Sequence, residues 1–290
     1  MKRVLATAGK ILLSLVVLIL VLGLVVAGLR AVNAKRYPFA AAGDGQSEMD
    51  KASYEASTSI ESIEGDYLNG FHFRPDTKLH SGVVVTYGGS EGSPDYGRAK
   101  ELADEGYEVL SLFFFGQPNQ VPTLANVPLE QFDEVVAYVE ENVADPRPLT
   151  VVGTSKGAEF AELLAAHGFP VDNVVAFAPA HYSYSGLDFT GGQDFPSFTL
   201  RGGAVPYATF RDANFGTGLR SMWDAVTGYP VSHRDTYVQA AGKAPEGARI
   251  DLSGFAGNVV LFGGADDRMW QSDTAADSLA AQNPRIEAHV

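Results

Sequence analysis

The chain has 290 residues, 46% of them hydrophobic, and 35 acidic residues against 21 basic ones give a formal net charge of −14. That length and apolar content are enough for a full buried core, and the acidic balance excludes the basic surface that nucleic-acid phosphates require. Cysteine is absent, which removes disulfides, thiolate metal sites and a cysteine nucleophile.

The N-terminus carries Lys2, Arg3 and Lys10, then an apolar run from Ile11 to Leu29 broken only by Ser14, Gly23, Gly28 and one alanine. A run of about 19 residues is long enough to cross the hydrocarbon core as a helix. Residues 1–36 therefore read as an uncleaved membrane anchor or as a secretory signal cut near Val32-Asn33-Ala34. Basic residues stand on both sides of the run, since Arg30, Lys35 and Arg36 follow it, so the positive-inside count is tied. A short N-terminal tail ahead of a large C-terminal part places the latter outside the cytoplasm, or in the secreted product if the signal is cut. Residues 37–53, rich in Ala, Gly, Ser and Asp without apolar period, read as a linker, and 54–290 as the main domain.

In chain order, Ile60 to Phe73 alternates loosely and predicts a hairpin at a sheet edge. Val83 to Tyr87 is a continuous apolar run of the kind found in buried parallel strands, and it ends in Gly88-Gly89-Ser90-Glu91-Gly92. Helical spacing follows over Pro94 to Glu105, a strand over Tyr107 to Leu112, a loop over Phe113 to Val127 and a helix over Leu129 to Val143. Next come a strand ending at Gly153, a helix closed by Gly168 and Pro170, and a buried strand at Val174 to Phe177. Residues from about 181 to 250 break the period and are full of glycine and aromatics, including Tyr184, Phe189, Phe198, Trp223 and Tyr237. A segment that long reads as a cap insertion. The pattern resumes with a strand at Asn258 to Phe262, a helix from Ser272 to Ala281 and a strand from Arg285 to Val290. Strands alternating with helices through short joints predict an α/β fold, a mostly parallel sheet with helices on both faces.

One stretch carries chemistry: Gly153-Thr154-Ser155-Lys156-Gly157 is a G-x-S-x-G elbow between a strand and a helix. Such a strained turn lifts a serine hydroxyl above a sheet as a nucleophile. Its oxyanion donors are expected from the backbone N–H of Lys156 and from Gly89 or Ser90, in the glycine loop after an earlier strand. Gly264-Ala265-Asp266-Asp267 follows a later strand and supplies the orienting carboxylate, Asp267, with Asp266 as its solvated neighbour. The base is expected to be a histidine after the final strand. Of His72, His80, His167, His181, His233 and His289, only His289 follows Asp267, and it falls within that strand. Either His289 serves, or the base is not in this chain. No metal and no cofactor is implied. The Lys156 side chain is either solvated or available to an anionic substrate group.

These blocks resemble a known family. From about Arg74 to Val290 the chain is similar to the C-terminal α/β-hydrolase domain of acyl-CoA thioesterases and bile-acid-CoA:amino-acid N-acyltransferases. The resemblance rests on GGSEGS at Gly88 to Ser93, VPTLANVPLE at Val121 to Glu130, GTSKGAE at Gly153 to Glu159, FTLRGGAVPY at Phe198 to Tyr207 and GGADDRMWQS at Gly263 to Ser272. It implies an α/β-hydrolase fold, Ser155 as nucleophile, Asp267 as acid and an acyl thioester or carboxylic ester as substrate. It also implies a histidine in a turn after the last strand, hence a continuation past Val290. The family's acyltransferases use cysteine, so a chain without one is expected to hydrolyse. The alternative expectation, if the base is truly missing, is a membrane-tethered hydrolase fold that binds without catalysis.

Overall fold

The computed structural model describes residues 2–38, 46–188 and 192–290. Residues 39–45 of the expected linker and 189–191 of the expected cap, Phe189 among them, lie outside the described residues. The chain divides into two compact units, Met1–Gly43 with Asn214–His233, and Asp44–Ala213 with Arg234–Val290.

In the first unit, α1 (Lys2–Arg36) is one helix, as the apolar run predicts. From Lys10 to Arg36 it is long and apolar enough to cross a membrane, a property that anchors and signal sequences share.

The second unit opens earlier than expected. Residues 46–53, read as linker, form the short helix α2 (Gln46–Met49) and a 3-10 turn over Lys51–Ser53. They are tied down because Gln117 Nε2 donates to Met49 O at 2.8 Å and Lys51 Nζ to Ile63 O at 2.9 Å. The predicted hairpin is β1 (Ile60–Glu64) and β2 (Asn69–Phe73), paired antiparallel. After it come β3 (Val83–Tyr87), α3 (Tyr96–Asp104), β4 (Val109–Leu112), β5 (Val127–Pro128), α4 (Gln131–Asn142), β6 (Leu149–Thr154), α5 (Lys156–Ala166) and β7 (Asn173–Phe177). The chain continues through β8 (Phe198–Leu200), β9 (Gly203–Ala204), α6 (Phe215–Thr227, part of the first unit), α7 (Arg234–Ala241), β10 (Asn258–Phe262), α8 (Ser272–Ala280) and β11 (Ile286–His289).

Eight strands make one sheet in the order β1-β2-β4-β3-β6-β7-β10-β11. The six from β4 to β11 are mutually parallel, and β2 joins them antiparallel to β4. This is the α/β-hydrolase architecture expected from the sequence. Its winding decides which face each helix covers, because parallel crossovers are right-handed. The step from β3 to β4 runs one way and puts α3 on one face, over Phe71, Phe73, Val84, Val109 and Val152. All later steps run the other way, so α4, α5 and α8 share the opposite face, over Val85, Leu110, Val151, Val174, Ala176, Val259 and Leu261. Helices thus lie on both faces of the sheet, as expected. On the α3 side Arg98 of α3 reaches over the Phe177 ring of β7 at 4.0 Å, while Phe262 of β10 is exposed.

The cap holds more regular structure than its sequence suggested. Parallel pairing of β5 with β8 and antiparallel pairing of β8 with β9 make a small second sheet. Phe198 of β8 is fully buried against Phe160 of α5, ring centroids 5.5 Å apart. This part of the cap is therefore built into the main core.

Candidate active site

Ser155 sits between β6 and α5 at φ 55° and ψ −113°, a conformation that side-chain-bearing residues rarely hold. Two backbone bonds pin it. Its N–H donates to Phe177 O of β7 at 2.8 Å, and its carbonyl accepts from Glu159 N–H at 3.0 Å. Both flanking glycines are sterically required. A Cβ on Gly153 would lie 2.1 Å from Gly157 O, and one on Gly157 would lie 2.2 Å from Gly88 O. The second clash also shows that the glycine loop after β3 rests directly on the elbow.

Gly89 therefore lies where the sequence expects an oxyanion donor, a Cβ built on it falling 3.3 Å from Ser155 Cβ. Its N–H is already engaged: it donates to Glu91 Oε1 at 2.7 Å, an oxygen that also accepts from Ser93 Oγ at 2.7 Å. The same geometry puts Glu91 Oε2 within about 6 Å of Ser155 Cβ. Sequence reasoning passed over Glu91, although an acid two residues past the Gly-Gly pair was the available signal. Ser90, the alternative donor, is exposed at the loop tip. Lys156 is the first residue of α5, so its N–H has no intrahelical acceptor and remains a donor beside the nucleophile.

The Lys156 side chain belongs to neither alternative read from the sequence. It is buried, and its ammonium donates to Glu159 Oε2 at 2.8 Å and Ser197 Oγ at 2.8 Å. Glu159 Oε1 in turn accepts from Ser183 Oγ at 3.1 Å and Tyr184 N–H at 3.0 Å. Burial lowers the Lys156 pKa and raises that of Glu159, while their mutual attraction opposes both shifts. One turn on, burial pushes the Glu162 carboxyl well above its usual range; Oε2 accepts from Ala180 N–H at 3.1 Å, and Oε1 has no partner among the described residues. The elbow helix thus grips the start of the cap through buried polar groups.

Of the two loop aspartates, Asp267 is the anchored one. Its Oδ1 accepts from Met269 N–H at 2.8 Å and Trp270 N–H at 3.3 Å, and its Oδ2 from Ser272 Oγ at 2.5 Å. Arg234 braces the loop, donating to Asp267 O at 3.0 Å and bidentately to Asp273 at 2.8 Å. Asp266 is 89% exposed, with Arg268 at 3.6 Å. Each carboxylate oxygen has two lone pairs, so Oδ2 of Asp267 retains one acceptor site.

His289 is not brought to Ser155. Strand register aligns Thr154, Phe177, Phe262 and His289 in one row across β6, β7, β10 and β11. Three strand spacings separate His289 from the residue before Ser155, about 14 Å. The ring stacks on Phe262 with centroids 5.1 Å apart, and Nε2 lies 3.0 Å from Glu287 Oε1. The physical reason is that β11 is the outermost strand, so a residue still inside it cannot cross β10 and β7. Four of the other five histidines have settings of their own in the second unit, and His233 belongs to the first. His72 is buried between Glu108 and Tyr138, and His80 stacks on Tyr107. His167 caps α5. Burial first, then Arg249, lowers the His181 pKa to about 4, and its Nδ1 has no partner among the described residues. No histidine among the described residues hydrogen-bonds Ser155. Nor does any group of three His, Cys, Asp or Glu side chains suit a metal ion among them.

Fold and site together define an α/β-hydrolase framework with a serine at the nucleophile elbow. No known family model matches the sequence, and no match to a curated protein was found. Solved structures similar to this chain include a provisional dienelactone hydrolase from Klebsiella pneumoniae, 18% identical, covering 80% of this chain and 83% of that one at a TM-score of 0.48. An esterase from Pyrococcus furiosus is 18% identical over 79% of this chain and 81% of its own, TM-score 0.45. An alpha/beta hydrolase from Sphaerobacter thermophilus is 18% identical over 79% and 91%, TM-score 0.45. The chemistry of the present chain is read from its own side chains.

Proposed function

We propose that this chain is a membrane-anchored serine hydrolase acting on acyl esters or thioesters, with Ser155 as nucleophile and Asp267 as the orienting carboxylate. The observation that carries the reading is the backbone of Ser155, held at positive φ between β6 and α5 with the Gly88-Gly89 loop packed against it. A non-glycine residue kept in such a conformation by its surroundings is characteristic of functional sites.

In the reaction, Ser155 Oγ bonds to the acyl carbon while its proton passes to a general base, a part no described histidine is placed to play, and from it to the departing alcohol or thiol. The carbonyl oxygen takes up the negative charge, facing the N–H groups of Lys156 and Gly89 or Ser90. Collapse expels the alcohol or thiol, and water then hydrolyses the acyl-serine. Glu91 must leave the Gly89 amide before an oxyanion can use it. An outward-facing domain meets little coenzyme A, so lipid or other acyl esters suit it better than acyl-CoA. The test is a panel of nitrophenyl esters and acyl-CoA thioesters with wild type and Ser155→Ala. Turnover abolished in the variant supports the nucleophile role, and equal turnover refutes it.

That no described histidine hydrogen-bonds Ser155, with His289 three strands away, favours a second reading, a tethered hydrolase fold that binds an acyl compound without cleaving it. That reading predicts no turnover by the wild type and undiminished ligand binding by Ser155→Ala.

A further inference from the structure

The first unit contains a feature that the hydrolase chemistry does not use. Helix α6 leaves the catalytic chain at Asn214 and returns to it after His233, and it is two-faced. Phe215, Leu219, Met222, Trp223 and Val226, spaced i, i+4, i+7, i+8 and i+11, fall on one side of a 3.6-residue helix. All five are exposed, Phe215 at 80% and Met222 at 59%. Thr217, Ser221 and Asp224 fall on the other side. Asn214 Oδ1 caps the start by accepting from Thr217 N–H at 2.9 Å, and Gly228 at φ 69° ends the helix. This is a well-formed helix, yet it leaves a continuous apolar stripe unburied.

Its place on α1 identifies what covers the stripe. The C-terminal end of α6 meets α1 just past Leu29, the last residue of the apolar run. Asn33 Nδ2 donates to Thr227 O at 3.0 Å, a Cβ on Gly228 would lie 3.3 Å from Arg30 Cγ, and the Tyr37 and Tyr229 rings cross edge to face at 5.2 Å. If Ile11 to Leu29 occupies the hydrocarbon, this junction falls at the headgroup level. Its composition is that of a membrane boundary, with Arg30, Lys35 and Arg36 beside Tyr37, Trp223 and Tyr229.

We infer that α6 is an interfacial helix, lying with its apolar stripe sunk into the outer edge of the bilayer that α1 crosses. The partner is a lipid surface, and the substrate class that follows is an acyl ester partitioned into that surface. This rests on the anchor reading of α1 and narrows the proposed substrate. A helix with one apolar face and a tryptophan at its margin is suited to the boundary between headgroups and acyl chains.

The chain has two tryptophans, Trp223 on the stripe and the buried Trp270, so wild type minus Trp223→Phe isolates the Trp223 signal. Full-length protein is reconstituted in phosphatidylcholine vesicles carrying a nitroxide either near the headgroup or near the chain end. Alkaline carbonate extraction of the same vesicles reports separately whether α1 is inserted. The expected result is a chain that resists extraction, with Trp223 quenched at least about twofold more by the shallow nitroxide than by the deep one. Resistance to extraction with Trp223 untouched by either nitroxide overturns the inference while leaving the anchor standing. Trp223 shielded from nitroxide and aqueous acrylamide alike means that protein, a second copy or another part of this chain, covers the stripe, which also overturns it. Complete extraction removes the anchor reading itself. A Leu219→Glu, Met222→Glu, Val226→Glu variant, altered only at exposed positions, is expected to lose about tenfold in turnover of a vesicle-borne ester. Its turnover of a water-soluble nitrophenyl ester is expected to stay at the wild-type level. Equal effects on the two substrates contradict the lipid-borne assignment.

Discussion

Ser155 holds a backbone conformation that costs about 1–3 kcal/mol, and the contacts of Gly153, Gly157 and Gly88 are what enforce it. Glu91 is its unexpected neighbour, an acid whose oxygen occupies the Gly89 amide proposed as an oxyanion donor. Removing that side chain frees the Gly89 N–H and takes a negative charge away from the developing oxyanion. Glu91→Ala is therefore expected to raise kcat for a nitrophenyl ester by roughly threefold to tenfold, well inside what one oxyanion donor is worth. Steady-state kinetics decide, and a fall in kcat identifies Glu91 as a participating base instead. His289 supplies the converse case. Its ring stacks on Phe262 about three strands from the elbow, so His289→Gln is expected to change kcat by less than about twofold. A loss of a hundredfold or more in the same assay restores it as the base.

At the scale of elements, α5 connects Ser155 to the segment that follows β7 through buried acids, and Glu162 gives that connection a pH dependence. Burial raises its folded pKa above the ordinary carboxylate range, so between those two values the folded chain holds a proton that the unfolded chain has released. Stability then falls as pH rises through that window, by at most about 1.4 kcal/mol per pH unit for one proton. Glu162→Gln carries no such proton. In denaturant titrations its advantage over wild type is expected to grow from pH 5 upward, and a gap independent of pH contradicts the assignment. Much of this framework was legible in the sequence. Val83 to Tyr87 is a near-continuous apolar run because that strand is buried on both faces, Val174 to Phe177 and Val259 to Phe262 are apolar runs with one face fully buried, and Gly153 and Gly157 mark where backbones touch. The small second sheet was not legible, because β8 and β9 are too short to show a period and β8 owes its pairing to β5, some seventy residues earlier. Nor was the fate of Lys156, since the groups that hold it in the core, Ser185 and Ser197, are brought to it only by the fold.

For the whole molecule, the direction of winding explains the placement of the site. The chain reverses after β4, so the elbow after β6 and the glycine loop after β3 end side by side at the same edge of the sheet, and the Asp267 loop follows β10 at that edge. The acidic balance that excludes nucleic acid belongs to the catalytic part, while basic residues cluster at the two ends of the apolar run in α1. The central claim is that Ser155 is a chemically competent nucleophile. A fluorophosphonate probe tests this most directly, because it bonds only to a serine whose hydroxyl is activated and whose oxyanion donors are in place. Incubating the full chain with the probe and mapping the adduct by peptide mass spectrometry is expected to place one label on Ser155, absent in Ser155→Ala. A folded wild-type chain that takes up no label, or takes it up equally in Ser155→Ala, contradicts the account.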